Sequence, residues 1–304
     1  MTRTPTKPET LNAWKERLLR VLVHIQQHLD EPLSLDDLAA RAFLSPFHFH
    51  RIFTGMMGES LKGHIRRLRL ERAATRLKLS RMSVLDVALE AGYETHESFT
   101  RAFQSNFGRS PSSYRASHAP PRFLQAPSGV HYRGHRAPRS FRAAAAPGRD
   151  RRVDIRALQP MRVAFMRHVG PYRKVGAVWD RFLMTLGKDG FLGAGTQFLG
   201  ICHDDPDVTP PRRIRYDVCA TVDPGFRPGG DIGVQTVPGG DHAVLTHVGP
   251  YDRINESYAQ LLGRWLPRSG RDLRPTPCFE TYLNSPENTD PEDLITDLHA
   301  PLTG

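Results

Sequence analysis

Cysteine is nearly absent from this 304-residue chain, which has only Cys202, Cys219 and Cys278. There is no C-x-x-C pair and no histidine at ligand spacing from them. That excludes a disulfide scaffold and a zinc finger, and it fits a reducing cytoplasm. Long apolar runs are missing too. No stretch approaches the roughly 18 residues of a membrane-spanning helix, and the opening residues Met1 to Lys7 lack the apolar core of a signal peptide, so no membrane association is expected. There is no glycine-rich phosphate loop and no cluster of metal-ligating side chains, and the 14 histidines are scattered. Neither a cofactor nor a metal is expected, and no residue is assigned a catalytic role.

Positive charge exceeds negative by 10, and the excess is unevenly placed. Residues 1–115 hold 18 Lys and Arg against 12 Asp and Glu, residues 116–152 hold 8 against 1, and residues 153–304 hold 16 against 19. This reads as a polyanion-binding module followed by a module with another task. Between them the chain runs through Pro120-Pro121, Pro127-Ser128-Gly129, Ala137-Pro138 and Ala143 to Gly148 with no helical or strand period. The expected parts are a domain over 1–116, a mobile basic Pro/Ala/Arg-rich linker over 117–151 whose arginines add nonspecific phosphate attraction, and a domain over 152–304.

In the first part, Leu11, Trp14, Leu18, Leu22, Ile25 and Leu29 form one apolar stripe on a helix that Pro32 stops. Ser34 with Asp37 opens a second helix that turns Leu35, Leu38 and Ala39 inward. Ser45 is a good N-cap and Pro46 suits the first position of a third helix. That helix should bury Phe49, Ile52 and Phe53 and leave Phe47, His48, His50 and Arg51 facing outward. The pattern returns about fifty residues on. Ser83 with Asp86 opens a helix holding Val84, Val87 and Ala88, Ala91-Gly92-Tyr93 makes a turn, and Thr95 caps a helix burying Phe99, Ala102 and Phe103. At an offset of 50, Ser45 falls on Thr95, Phe49 on Phe99, Arg51 on Arg101, Phe53 on Phe103 and Gly58 on Gly108, whereas the lead helices align at 49. A basic helix over 61–79 lies between. Two helix-turn-helix units in register within a basic domain point to double-stranded DNA, because a helix fits the major groove while arginines around it displace counterions from phosphates.

The stretch Ala91-Gly92-Tyr93-Glu94-Thr95, Phe99-Thr100-Arg101-Ala102-Phe103, Phe107-Gly108, Ser110-Pro111 and Tyr114-Arg115 resembles the signature of the AraC/XylS family of bacterial transcription regulators. Tyr93 stands where that family more often has Phe. The resemblance spans about residues 10–115 and implies a seven-helix domain whose two recognition helices enter successive major grooves. By position, it places Phe47, His50 and Arg51 in the first base-facing set and His96, Glu97 and Arg101 in the second. Core packing for Phe47 and a capping role for Glu97 are the structural alternatives, since a carboxylate can meet only cytosine amino groups. RNA polymerase is the further partner that such a regulator implies.

From Val153 on, the chain repeats itself. His168-Val169-Gly170-Pro171-Tyr172 recurs as His247-Val248-Gly249-Pro250-Tyr251, at an offset of 79. Strands are expected at Val163 to Phe165 and Ala243 to Leu245. Trp179, Phe182, Leu183 and Leu186 match Tyr258, Leu261, Leu262 and Trp265 on the helices that follow. At an offset of 80, Leu199 to Pro206 aligns with Phe279 to Pro286, and Asp217 with Asp297. The fold expected here is α+β, a duplicated strand–helix–strand–strand module with pseudo-twofold symmetry, behind an all-α first domain. His168 and His247 precede the turn symmetrically, which favours a structural role.

The two His-Val-Gly-Pro-Tyr segments, Arg215-Tyr216-Asp217-Val218-Cys219 and Phe279-Glu280-Thr281-Tyr282-Leu283 are similar to the GyrI-like (gyrase-inhibitor-like) effector-binding family. On its strand Glu280 shares a face with Tyr282, and its repeat mate is Gly200, so one carboxylate is expected in a cleft with room opposite. The resemblance implies that this Glu meets lipophilic cations between aromatic walls, for which Tyr172, Trp179, Tyr216, Tyr251 and Tyr282 are candidates. A ligand-responsive DNA-binding regulator without enzymatic activity is the leading reading. The alternative is a DNA-tethered hydrolase or scavenger in which a Glu and a Tyr activate water against an electrophile. Glu280→Gln is expected to leave DNA binding unchanged when no ligand is present, because a flexible linker stands between the two.

Overall fold

A computed structural model of the chain describes residues 7–134, 136–144, 151–188, 190–204 and 209–303. Residues 1–6 of the first domain, 145–150 of the connector and Pro206 of the repeat alignment lie outside the described residues. Contacts group the chain into two compact units, one of Asn12–Phe43 and Phe53–Ala146, the other of Met1–Leu11, Leu44–Ile52 and Pro147–Gly304.

Seven helices occupy the described residues up to Ala116: α1 (Lys7–Gln27), α2 (Leu35–Arg41), α3 (Pro46–Met57), α4 (Leu61–Leu79), α5 (Val84–Glu90), α6 (His96–Phe107) and α7 (Pro111–Ala116). Their starts are chemical. The Ser34 hydroxyl accepts from the Asp37 amide, Ser83 and Asp86 cap each other reciprocally, and Thr95 accepts from the Ser98 amide at 3.1 Å. Each satisfies an amide that would otherwise have no partner at a helix start. In the second helix-turn-helix unit, Val87, Ala88, Phe99, Phe103, Phe107 and Tyr114 form one core with Leu70, Ala73 and Leu77 of α4.

The connector forms neither helix nor strand in its described part, but it does not hang free. Ser128, Val130, Phe141 and Ala144 are buried. The buried Glu71 carboxylate of α4 accepts from the Leu124 and Tyr132 amides at 3.1 and 2.8 Å and from His131 Nδ1 at 3.0 Å. The Ala144 amide donates to the Met56 carbonyl at 2.8 Å. The expectation of mobility is therefore corrected over 122–134 and 136–144: an acceptor on α4 binds backbone donors that composition alone leaves unassigned. Arg122, Arg133, Arg136, Arg139 and Arg142 stay exposed.

The other unit is built on one eight-stranded antiparallel sheet. Its strands are β1 (Asp154–Leu158), β2 (Met161–Val169), β3 (Phe198–Cys202), β4 (Arg215–Thr221), β5 (Gly233–Val237), β6 (Gly240–Val248), β7 (Phe279–Tyr282) and β8 (Ile295–Pro301), in the spatial order β1-β6-β8-β7-β3-β4-β2-β5. Helix α8 (Val175–Lys188) follows β2, and α9 (Ile254–Gln260) with α10 (Leu266–Ser269) follows β6. The expected strand–helix–strand–strand succession appears twice, and each succession gains a leading strand that the sequence reading omitted. These two are exchanged: β1 pairs with β6, and β5 pairs with β2.

The His-Val-Gly-Pro-Tyr motif makes the same corner in both places. His168 Nε2 donates to the Pro171 carbonyl and His247 Nε2 to the Pro250 carbonyl, each at 3.2 Å. Gly170 and Gly249 take φ values of +152° and +125°, where a side chain would be strained. Asp217 and Asp297 are likewise matched, each buried and held by an arginine, Arg167 at 2.7 Å and Arg156 at 2.7 Å. The Asp217 pair ties β4 to its neighbour β2, whereas Arg156 of β1 reaches Asp297 of β8 across the intervening β6.

Candidate functional site

The middle of the sheet is the pairing of β3 with β7, and its register sets Gly200 opposite Glu280. Side chains two residues apart share a face, so Cys202 and Tyr282 join Glu280 on it, and Tyr216, paired to Cys202, comes beside them. Glu280 is 6% exposed. Its Oε1 accepts from the Cys202 thiol and the Tyr258 hydroxyl, each at 3.3 Å, and its Oε2 accepts from the Tyr282 hydroxyl at 2.6 Å. Since Tyr282 spends its proton on Glu280, Tyr216 must be the donor in the hydrogen bond between the two phenols.

The space opposite the carboxylate is not empty, which corrects the expectation drawn from Gly200. A Cβ on Gly200 would overlap the Tyr216 hydroxyl and press on that of Tyr282. Gly200 thus makes room for two phenols. Burial pushes the Tyr216, Tyr282, Tyr258 and Cys202 protons to higher pKa, and the Glu280 charge pushes in the same direction. These groups stay protonated, so Cys202, Tyr258 and Tyr282 are fixed donors to Glu280 and Tyr216 is a fixed donor to Tyr282.

The five aromatic residues expected as walls come together here. Tyr282 meets Trp179 of α8 edge-on at 5.7 Å and Tyr251 at 5.6 Å, and Tyr216 meets Tyr172 at 5.5 Å. Tyr258 of α9 and Cys202 were missed. Tyr258 was nonetheless legible as the repeat mate of the aromatic Trp179, while nothing local marks Cys202. A carboxylate among rings attracts a cation with an apolar, polarisable surface.

The recognition helices differ. On α6, His96, Glu97 and Arg101 are exposed while Phe99, Phe103 and Phe107 are buried, as a helix presented to DNA requires. On α3, the expected outward set is buried: Phe47 is 5% exposed, His48 4%, His50 2% and Arg51 5%. The reason lies in the unit that holds Leu44–Ile52 together with the sheet. The Arg51 guanidinium sits 3.9 Å from the Phe47 ring centroid and 3.8 Å from that of Tyr258. Phe47 meets Tyr258 edge-on at 6.3 Å, and His48 Nε2 lies 3.6 Å from the Cys278 sulfur. Burial, reinforced by the neighbouring Arg51 charge, lowers His48 to about 4, and burial pushes the Cys278 thiol up to about 12.

Comparison with known proteins gives two domain matches. Residues 151–303 match the GyrI-like small molecule binding domain and residues 38–117 a helix-turn-helix domain. The chain is 39% identical over 97 residues to the right origin-binding protein of Escherichia coli K12, a stretch covering 32% of this chain and 34% of that one. It is 36% identical over 126 residues to the probable transcriptional regulator YgiV of the same organism, covering 40% and 78%. It is 32% identical over 101 residues to the regulatory protein SoxS of Salmonella typhimurium, covering 33% and 94%. The chain thus spans about a third of the length of the right origin-binding protein.

Proposed function

The chain belongs to the family of GyrI-like small molecule binding domains, here preceded by an AraC-type helix-turn-helix domain, and from that membership we propose a sequence-specific transcription regulator that senses a lipophilic cation. In this reading residues 1–116 bind double-stranded DNA, residues 152–304 take the effector, and RNA polymerase is the partner at the promoter. Phe47, His50 and Arg51 of α3 and His96, Glu97 and Arg101 of α6 meet the bases. Glu280, Tyr282, Tyr172, Trp179, Tyr216 and Tyr251 hold the effector, with Tyr258 added to them. The observation that carries the reading is the buried Glu280 carboxylate ringed by phenols.

Glu280→Gln tests it. The amide keeps the shape and deletes the charge. Calorimetry should show tetraphenylphosphonium affinity falling by roughly 1.5–3 kcal/mol, the worth of a charge-assisted contact, with little change for neutral triphenylphosphine oxide. Fold stability should change little, since removing a desolvated charge offsets the loss of a hydrogen bond where the amide nitrogen replaces an accepting oxygen. Equal losses for both compounds would remove the cation reading. An activated ester should be recovered intact after incubation, whereas turnover that depends on Glu280 would assign a hydrolase instead.

A further inference from the structure

Arg51 and Arg101 occupy equivalent positions on the two recognition helices, yet Arg101 is exposed and Arg51 is 5% exposed. What differs is the acceptor. The Arg51 guanidinium lies between the rings of Phe47 and Tyr258, well inside cation–π range of both. The Tyr258 hydroxyl in turn donates to Glu280. The positive charge of Arg51 and the negative charge of Glu280 act in opposite senses on the same residues, Tyr172, Cys202, Tyr258 and Cys278. A flat, weakly hydrated cation stacked on an aromatic ring beside a buried carboxylate is what a lipophilic cation would be at this site.

We propose that Arg51 is a resident cation of the Glu280 site, an internal ligand that keeps the first recognition helix from DNA until a lipophilic cation displaces it. The inference rests on the cation-sensing reading above and adds how sensing reaches DNA. A guanidinium enclosed by two rings cannot also lie along a guanine edge, so the two positions of Arg51 exclude each other. DNA affinity is then scaled by the fraction of molecules in which Arg51 has left. A cation that binds only after Arg51 leaves raises that fraction, and by linkage DNA tightens the binding of the cation. The α6 surface is open throughout, so the closed chain would hold DNA through one helix and the open chain through two.

The experiment uses the full chain and an operator duplex, with tetraphenylphosphonium as the probe. Without probe, Glu280→Gln should bind the operator about tenfold more tightly than wild type, because the hold on Arg51 is weakened. The probe should tighten wild-type binding and leave the variant unchanged. A second readout needs no variant: His48 lies against the Cys278 thiol, so operator or probe should speed Cys278 alkylation several-fold while Cys219 stays protected. If the probe binds through Glu280 but neither it nor Glu280→Gln alters operator affinity or Cys278 labelling, the internal-ligand proposal is overturned and the sensing reading stands. If Glu280→Gln tightens operator binding but the probe does not bind wild type, the sensing reading fails and the Arg51 contact stands.

Discussion

Phe43 holds a backbone φ of 58°, in the left-handed region that bulky side chains avoid, with its ring 77% exposed. It sits in the turn between α2 and α3. The matching turn before α6 has Gly92 there, with φ at 81°. The turn geometry therefore demands a positive φ at this place, and the first unit meets it with a strained residue. Phe43→Gly should stabilise the chain by about 0.5–1 kcal/mol, relief of strain outweighing the entropy that glycine adds to the unfolded state. Denaturant unfolding checks this, and a lower midpoint would mean that the stacking of Arg20 on the Phe43 ring matters more. At this scale, legibility followed distance along the chain. Ser34, Ser83 and Thr95 were read as caps because a cap acts over three residues, and Glu280 with Tyr282 because strand alternation is local. The burial of Arg51 was not legible, since one of the two rings that enclose it, Tyr258, belongs to α9.

Helix α4 was read as a basic helix over the span it occupies, and part of its charge lies inside the fold. Arg67, Glu71 and Arg72 are buried. Their acceptors and donors come from elsewhere: Glu59 reaches Arg67 Nη2 at 2.6 Å and His64 Nδ1 at 2.8 Å, and Arg72 reaches Asp30 at 2.7 Å. Burial alone would raise Glu59, but hydrogen bonds from His64 and Arg67 hold it at about 2. A carboxyl depressed on folding stabilises above its unfolded value of 4.5, and that contribution is lost as pH falls towards 2. Glu59→Gln should therefore cost about 2 kcal/mol at neutral pH, with the gap to wild type closing between about pH 4.5 and 2. Stability curves across that range decide it, and a gap independent of pH would assign the loss to packing. On α6, the exposed Arg101 leads to a different measurement. Arg101→Ala should weaken cognate binding by roughly 1–3 kcal/mol beyond any loss on a random duplex if the side chain reads a guanine. Equal losses on both, with a shallower salt dependence, would place it on phosphate.

Across the molecule, the division of charge and the two internal repeats carried most of the architecture. The helix-turn-helix pair, the corners made by His168 and His247, and the central strands all follow from patterns that recur within the chain. What recurrence does not reveal is exchange. A repeat shows that β1 and β5 are alike only if it is traced that far, and it never shows that each pairs with the strand succession of the other. The register at the centre has a further consequence. Gly200 faces Glu280, so residues eighty apart meet where the two successions join. Had the same sheet been assembled from two identical chains, whatever residue stood there would have met its own copy, giving two carboxylates in contact or none. Two facing carboxylates repel, and one of them would take up a proton. Joining both successions in one polypeptide permits an odd number at the meeting point. For the proposed sensor the stoichiometry follows: one carboxylate at the meeting point would answer to one cation, and the expected response to rising effector is a simple saturation curve for each chain, without the cooperativity that two equal sites would allow.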